Sequence, residues 1–464
     1  MTIQILNERP FSHIINGKLY PTLDDVKTID VINPATEKSF AKIPVASKEL
    51  LDEAVDYGEK AFQQWRNTSW LERAKLVQDV GKEFNQNAEE IAELLVKEQG
   101  KPKQWALFEI GATMEWFEKM PEMEIKEKVC LQTEDFKVIE QYLPLGVCAG
   151  IVPWNFPIIL MVWKIIPAIL TGNTIIIKPS PFTPLCAVRI VELFNKHLPA
   201  GVVQLILGDD NLGPWITEHP KIRKISFTGS TATGKSVARS CSATLKRFTL
   251  ELGGNDACIV LPDIDIEATA PTILLTAMIN SGQVCHAAKR IYVHEDIYDK
   301  VSEELINVVK GSKVGPGDEK DSVYGPINNK MQFEKVAEFF QDSKKQGHKF
   351  LTGGEIDEKS IGYFVPLTLV DQPDEKSKLV QEEPFGPIVP LLKWKTDEEV
   401  LKRVNDSEWG LGATIFGKDL KRVERLARNV EAGIVWTNVP IQQHPSVPFG
   451  GFKSSGESDF EEEI

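Results

Sequence analysis

From Gly146 onward, short apolar runs alternate with helix-length segments. The runs fall at 147–152, 174–177, 202–207, 224–227 and 247–250, and the longer segments at 157–170, 184–197, 212–218 and 231–245. Strands of this character between helices predict a parallel sheet covered on both faces. A second alternation runs from Ala257 to Trp436, with strands predicted at 259–261, 290–293, 388–392, 414–416 and 434–436. Upstream, two helices are expected. Leu51, Val55, Phe62 and Trp65 share one helical face. Ser69-Trp-Leu-Glu72 has capping-box spacing and opens a helix expected to end near Gly100, with Pro102 just beyond. The stretch 126–142 is charged and β-branched and reads as a hairpin arm.

Composition narrows the classes. At roughly 150 residues per domain, 464 residues predict two or three domains. A net charge of −14 repels polyphosphate, so nucleic acid is excluded as a partner. Six scattered cysteines without a Cys-x-x-Cys pair fit neither a disulfide framework nor a zinc site, and point to a reducing, cytoplasmic compartment. The first thirty residues lack the basic start and apolar run of a signal peptide. The most apolar stretch, 156–163, ends at Lys164, far short of the ~20 residues of a membrane span. It predicts a buried helix and no membrane partner.

Several segments carry candidate chemistry. Gly229, Ser230, Thr231, Ala232, Thr233 and Gly234, followed by Lys235-Ser236, satisfy the Walker A pattern between a strand and a helix. A P-loop nucleoside triphosphatase is therefore one reading. Cys285, in Gly282-Gln-Val-Cys285-His286, suits a nucleophile if its thiolate is stabilised; alone, such a cysteine is as readily a small buried hydrophobe. Glu251 ends a strand before Leu252-Gly-Gly254, where desolvation raises a carboxyl toward the range of a general base; alone, it is as readily a cap or an ion-pair partner. Asn155, after Pro153 and Trp154, ends the first parallel strand, where an amide can donate to an oxyanion or simply turn the chain. Lys178 and Ser180 end the next strand and suit ribose hydroxyls or a phosphate. Glu383 and Phe385, in Glu382-Glu-Pro-Phe-Gly-Pro387, offer a carboxylate for a ribose and a ring for a flat heterocycle. The histidines have no ligand spacing, so no metal site is expected.

Read in order, these segments resemble the NAD(P)-dependent aldehyde dehydrogenase superfamily. The likeness rests on Pro153-Trp-Asn-Phe-Pro157, Lys178-Pro-Ser180, Phe227-Thr-Gly-Ser-Thr231, Glu251-Leu-Gly-Gly254, Gly282-Gln-Val-Cys285, Glu382-Glu-Pro-Phe-Gly-Pro387 and Pro448-Phe-Gly-Gly451. It spans nearly the whole chain. It implies a Rossmann-like dinucleotide-binding domain, an α/β catalytic domain and a small β oligomerisation arm. The implied reaction is oxidation of an aldehyde to a carboxylic acid with NAD or NADP. Cys285 is implied as the nucleophile, Asn155 with the Cys285 N–H as the oxyanion hole, and Glu251 as the base that activates water. The resemblance assigns Lys178 to the adenosine ribose, Glu383 to the nicotinamide ribose, residues 229–234 to the pyrophosphate, and Trp163 and Phe449 to the substrate tunnel.

The corresponding boundaries are 1–121 with 144–251, then 252–440, then an arm and tail of 122–143 with 441–464. Two departures qualify this. NAD-preferring relatives often carry Glu just after the Lys-Pro-x turn; here that position is Pro181, so measurable use of NADP is expected. The tail after Gly456 departs from the family's run: the usual proton-relay Glu falls at Phe460, and the closing strand is expected to be missing. A homodimer is expected in preference to a tetramer, and a catalytically degenerate relative is the other alternative.

Overall fold

The computed structural model describes residues 10–20, 26–357 and 359–457. The apolar run after Gly146 forms the strand Val147–Ile151, buried at all but its last position. Its parallel neighbours are Thr174–Lys178 on one side and Ile222–Thr228 on the other. Val203–Leu205 extends the sheet beyond the first, and Arg247–Glu251 beyond the second. The chain thus builds one half of the sheet outward, returns, and builds the other half in the opposite direction. Strand order reverses between Val147–Ile151 and Ile222–Thr228, and loops diverging at the carboxyl ends of two such strands leave a crevice for a ligand. Those loops begin at Val152 and Gly229. A short antiparallel pair, Ile14–Ile15 with Lys18–Leu19, closes one edge of the sheet.

The second alternation forms a seven-stranded sheet. Its order is Lys349–Phe350, Thr368–Asp371, Ile388–Trp394, Ala288–His294, Asp256–Val260, Gly412–Phe416 and Ile434–Thr437. All pairings are parallel except the first. Ala288–His294 and Gly412–Phe416 are buried at every position, which explains why they read as continuous apolar runs without alternation. The stretch 126–142 is a two-stranded hairpin, Lys128–Gln132 with Lys137–Glu140, exposed at all but its last strand position. Among the described residues no helix is long and apolar enough to cross a membrane.

The structure differs from these expectations at three places. The single helix expected from Ser69 to Gly100 is two, Trp70–Gln86 and Ala88–Gln99. They are divided at Asn87, whose side chain turns back to donate to the Glu83 carbonyl at 2.7 Å. Ser69 does cap the first, accepting from Glu72 N, and Gly100 ends the second at φ +97°. A further helix, Lys103–Lys119, and a hairpin, Thr28–Asn33 with Lys38–Pro44, have no counterpart in the sequence reading. The buried helix expected over 157–170 forms as Pro157–Leu170, with Lys164 buried inside it and its Nζ donating to Thr228 Oγ1 at 2.8 Å.

The tail also differs. Gly456–Glu457 pairs antiparallel with Arg247–Glu251, and Phe452–Lys453 with Trp409–Gly410. The described part of the tail therefore joins the dinucleotide sheet and the catalytic body, not the hairpin. Residues 458–464, with Phe460 and the acidic run, lie outside the described residues.

Candidate active site

The loop 152–156 leaves the switch point and carries Asn155 into the interior. Asn155 is buried, and its position is over-determined. Lys101 Nζ donates to its carbonyl at 2.9 Å, and Asn280 Nδ2 donates to the same oxygen at 3.1 Å. Lys101 is itself fully buried against Glu109, 2.6 Å away. The other carboxylate oxygen of Glu109 accepts from the backbone N–H groups of Ile158 and Ile159, in the first turn of the helix Pro157–Leu170. One buried ion pair thus fixes both the Asn155 carbonyl and the helix that follows. The Asn155 side chain donates one hydrogen to the Gln283 carbonyl at 3.0 Å, and an amide carries a second.

Cys285 follows a turn with three consecutive left-handed residues, Asn280 (φ 52°), Ser281 (φ 56°) and Gly282 (φ 73°). Non-glycine residues in that region cost of order 1–3 kcal/mol each, and such strain collects where function over-determines the backbone. The turn is held by Ser281 Oγ donating to the Gly325 carbonyl at 2.7 Å and by Lys289 Nζ donating to the carbonyls of Val284 and Cys285 at 2.8 and 2.6 Å. Glu251-Leu-Gly-Gly254 lies against it: a Cβ on Gly254 would meet the Cys285 carbonyl at 2.6 Å, and one on Gly253 would meet Glu383 Oε2 at 2.6 Å. Only glycines allow this approach.

The thiol opens partly to a cavity, yet the crowding around it pushes its pKa up to about 12, with Lys289 opposing and Glu251, Glu383 and Asp256 reinforcing. Sγ lies 3.3 Å from His286 Nδ1. Burial pulls that imidazole down to about 3, so it is neutral at pH 7. Glu251 is 3% exposed. Burial pulls the nearby Lys164 ammonium down to about 7, and the Glu251 carboxylate holds it against that pull.

Cys285, Glu251 and Asn155 line one cavity of about 810 Å³. Its walls are largely aromatic and aliphatic, including Phe156, Leu160, Trp163, Trp436 and Phe449. Trp163 and Phe449 rings lie 6.0 Å apart. Neither lysine nor arginine is among its lining residues.

On the other side of Cys285, Glu383 accepts from Gly254 N at 3.2 Å and lies 3.3 Å from Lys289 Nζ. The Phe385 ring stands edge-on to Trp154 at 5.4 Å. Further along the sheet edge is Lys178. It is 7% exposed, and its ammonium makes no hydrogen bond or ion pair among the described residues. A buried ammonium without a partner fits an edge that receives a polar ligand. Ser180 Oγ accepts from Phe182 N at 3.3 Å.

The Walker-like string is not a phosphate cradle. The helix begins at Thr231, capped by Ser230 accepting from Thr233 N, so Gly229 and Ser230 alone remain as loop. Gly234 is helical and packs on Leu252, where a Cβ would meet Leu252 Cδ2 at 2.4 Å; Lys235 and Ser236 point outward, exposed. A helix start at the switch point suits a dinucleotide pyrophosphate, and the P-loop reading falls.

The aldehyde dehydrogenase family profile matches residues 22–463. The chain belongs to the aldehyde dehydrogenase family. It is 38% identical over 450 residues to a mitochondrial aldehyde dehydrogenase of Leishmania tarentolae, covering 96% of this chain and 90% of that one. Its fold matches an aldehyde dehydrogenase of Bacillus cereus solved with NAD+, at TM-score 0.95 and 34% identity, covering 98% and 94% of the two chains. It likewise matches an NADP-dependent enzyme of E. coli, at TM-score 0.94 and 32% identity, covering 98% and 96%. This aldehyde dehydrogenase is an NAD(P)-dependent oxidoreductase acting on aldehydes.

Lys101, Glu109, Lys289, Lys164 and His286 have no place in the sequence reading of the site. Each is an ordinary polar residue whose role comes from distant partners. His286 alone carried a signal, by standing next to Cys285.

Two outcomes follow from this geometry. Glu109→Gln or Lys101→Met strands a buried charge and is expected to lower stability by about 3–5 kcal/mol, whereas Lys101→Met with Glu109→Leu recovers much of that loss. Both the single and the double variants should lose most turnover, because Asn155 loses its anchor. Denaturant titration and kinetics test this; a double variant with full activity would refute the positioning role. Second, a thiol near pKa 12 is protonated at neutral pH, so its reactivity rises with pH. In a Cys130→Ser background that removes the exposed thiol, iodoacetamide should label Cys285 about tenfold faster per pH unit through pH 10. A plateau below pH 9, read by peptide mass spectrometry, contradicts this.

Proposed function

We propose that Cys285 is the nucleophile, that Asn155 and the Cys285 backbone N–H form the oxyanion hole, and that Glu251 is the general base. The observation that carries this is the convergence of the three side chains on one apolar cavity. In this reading the Cys285 thiol gives up its proton to water, its sulfur adds to the aldehyde carbon, and the carbonyl oxygen gains charge opposite the second Asn155 N–H. A nicotinamide dinucleotide held by Lys178, the turn at Gly229–Ser230 and Glu383 supplies the hydride acceptor when bound. Loss of hydride from carbon leaves a thioester on Cys285. Glu251 then takes a proton from water, the hydroxide adds to the thioester carbon, and the thiolate departs from the carboxylic acid.

The cavity points to the substrate class. A wall of aromatic rings with no cation suits an aldehyde with an uncharged, apolar body. An aldehyde that also bears a carboxylate has no counter-ion there. Residues 1–121 and 144–251 are assigned to cofactor binding, and 252–440 to catalysis.

We read the assembly as a homodimer through the hairpin 122–143. Val129, Leu131, Phe136, Val138, Ile139, Tyr142 and Leu143 are all about half exposed on or beside it, an apolar patch suited to a second copy. A cytoplasmic setting suits six unpaired cysteines, and cell fractionation reads it directly.

Cys285→Ala should reduce aldehyde oxidation to below a few per cent while leaving cofactor binding nearly intact. Glu251→Gln should keep a burst of reduced cofactor followed by a slow steady state, since hydride leaves before water is activated. Stopped-flow measurements with an aromatic aldehyde and a carboxylate-bearing aldehyde test the roles and the substrate class together. Equal loss of burst and steady state would move the base elsewhere. Light scattering over a dilution series tests the dimer, which should dissociate more readily after Leu131→Lys; a tetramer that persists on dilution would contradict it.

A further inference from the structure

The cofactor edge holds a charge arrangement that the sequence motif does not contain. Pro181, where NAD-preferring relatives often carry Glu, has no carboxylate to offer. The loop after the neighbouring strand does. Val203–Leu205 lies beside Thr174–Lys178 with Ile177 opposite Leu205, so the two loops leave the same sheet edge side by side. The second loop reads Gly208-Asp209-Asp210-Asn211.

Pro181, Asp209 and Asp210 line a common cavity of about 250 Å³, to which Asp30 adds a third carboxylate. Asp209 is engaged: it accepts from Lys27 Nζ at 2.8 Å and from Asn211 N at 3.1 Å. Asp210 is exposed and makes no hydrogen bond or ion pair among the described residues. Both acids act on Lys178, Asp210 more strongly, holding its ammonium charged against burial. A buried ammonium at the end of one strand and an open carboxylate on the loop after its neighbour thus lie close enough for their charges to interact.

We propose that Asp210, backed by Asp209, supplies from the neighbouring loop the acceptor that Pro181 lacks, taking the 2′-hydroxyl of the adenosine ribose and turning away a 2′-phosphate, so that this chain selects NAD over NADP. This rests on the reading that Lys178 meets the adenosine ribose. It reverses the expectation drawn from Pro181 alone. Lys178 would otherwise attract the phosphate. Lys330 also lines that cavity and Lys27 pairs with Asp209, so the discrimination falls to the open Asp210 carboxylate: a dianionic phosphate meets a like charge there, whereas a neutral hydroxyl donates to it. Selectivity arises as much from repulsion of the wrong cofactor as from attraction of the right one.

The test is equilibrium binding to the full chain, by calorimetry or quenching of tryptophan fluorescence, with NAD and NADP as probes. The wild type should bind NAD at least about tenfold more tightly than NADP, and the ratio should shrink as salt screens the acids. Asp210→Asn keeps an acceptor but removes the charge. It should tighten NADP several-fold and so narrow the ratio between the two cofactors. Asp210→Ala should weaken NAD as well. Asp210 is exposed on a loop, so these variants do not disturb the core. A wild type that binds the two cofactors equally, or an Asp210→Asn variant with an unchanged ratio, would overturn the assignment. Failure of both cofactors to bind would overturn the dinucleotide reading beneath it, and this assignment with it.

Discussion

The ion pair between Lys101 and Glu109 is the contact on which the rest of the site depends. Both side chains are fully buried. Two charges taken out of water are costly, and such a pair stabilises a fold little, if at all, compared with well-packed apolar residues. Its value here lies in what surrounds it. Lys101 reaches the Asn155 carbonyl and sits over the Phe156 ring at 3.7 Å. Glu109 takes the first N–H groups of the helix Pro157–Leu170, where a negative charge meets the positive end of the helix dipole. That helix carries Leu160 and Trp163 to the cavity wall and Lys164 to Thr228. One polar contact therefore sets the oxyanion donor, a wall of the substrate cavity and the neighbour of Glu251.

A second clamp acts from the catalytic sheet. Lys289, from the strand Ala288–His294, reaches back to the two carbonyls of the Val284–Cys285 turn and to Glu383. The three left-handed residues before Cys285 are held in place by this clamp, by Ser281 and by Asn280. Asn280 also touches Asn155, so the two clamps meet at one carbonyl. Cys285 and Asn155 come from different sheets, and their relative position is set by hydrogen bonds to backbone atoms. Preorganisation of this kind costs nothing at the moment of reaction.

Much of the architecture was legible in the sequence, for a physical reason. Parallel strands buried on both faces read as apolar runs, so the five central strands of the first sheet and the five predicted in the second stand close to where their patterns put them. The helix Lys103–Lys119 escaped because its buried face includes Glu109 and Thr113, which break the apolar periodicity. The break at Asn87 escaped because a side chain bonding its own backbone leaves no mark in hydropathy. The motif residues were found because each stands near glycine or proline at a strand end. Their supports were not, since Lys101, Lys164 and Lys289 look like solvated lysines until the fold surrounds them. The Walker-like string failed in the opposite direction: Gly234 is there to let a helix pack on Leu252, and its spacing from Gly229 is incidental to phosphate binding.

Taken together, the two ends of the site are built with opposite electrostatics. The aldehyde cavity has no cation, and its thiol rests protonated beside a neutral imidazole. At the far sheet edge Lys178 is a buried ammonium held charged by Asp210 and Asp209. Charge is also gathered at the middle, where Lys289, Glu383 and Asp256 surround the Cys285 turn. Burial raises the Asp256 carboxyl to about 7, with Lys289 opposing. A group titrating there changes charge next to both Lys289 and Cys285. The ammonium that fixes the backbone of the turn also opposes the upward push of burial on the Cys285 thiol, so one side chain bears on both the geometry and the acidity of that residue.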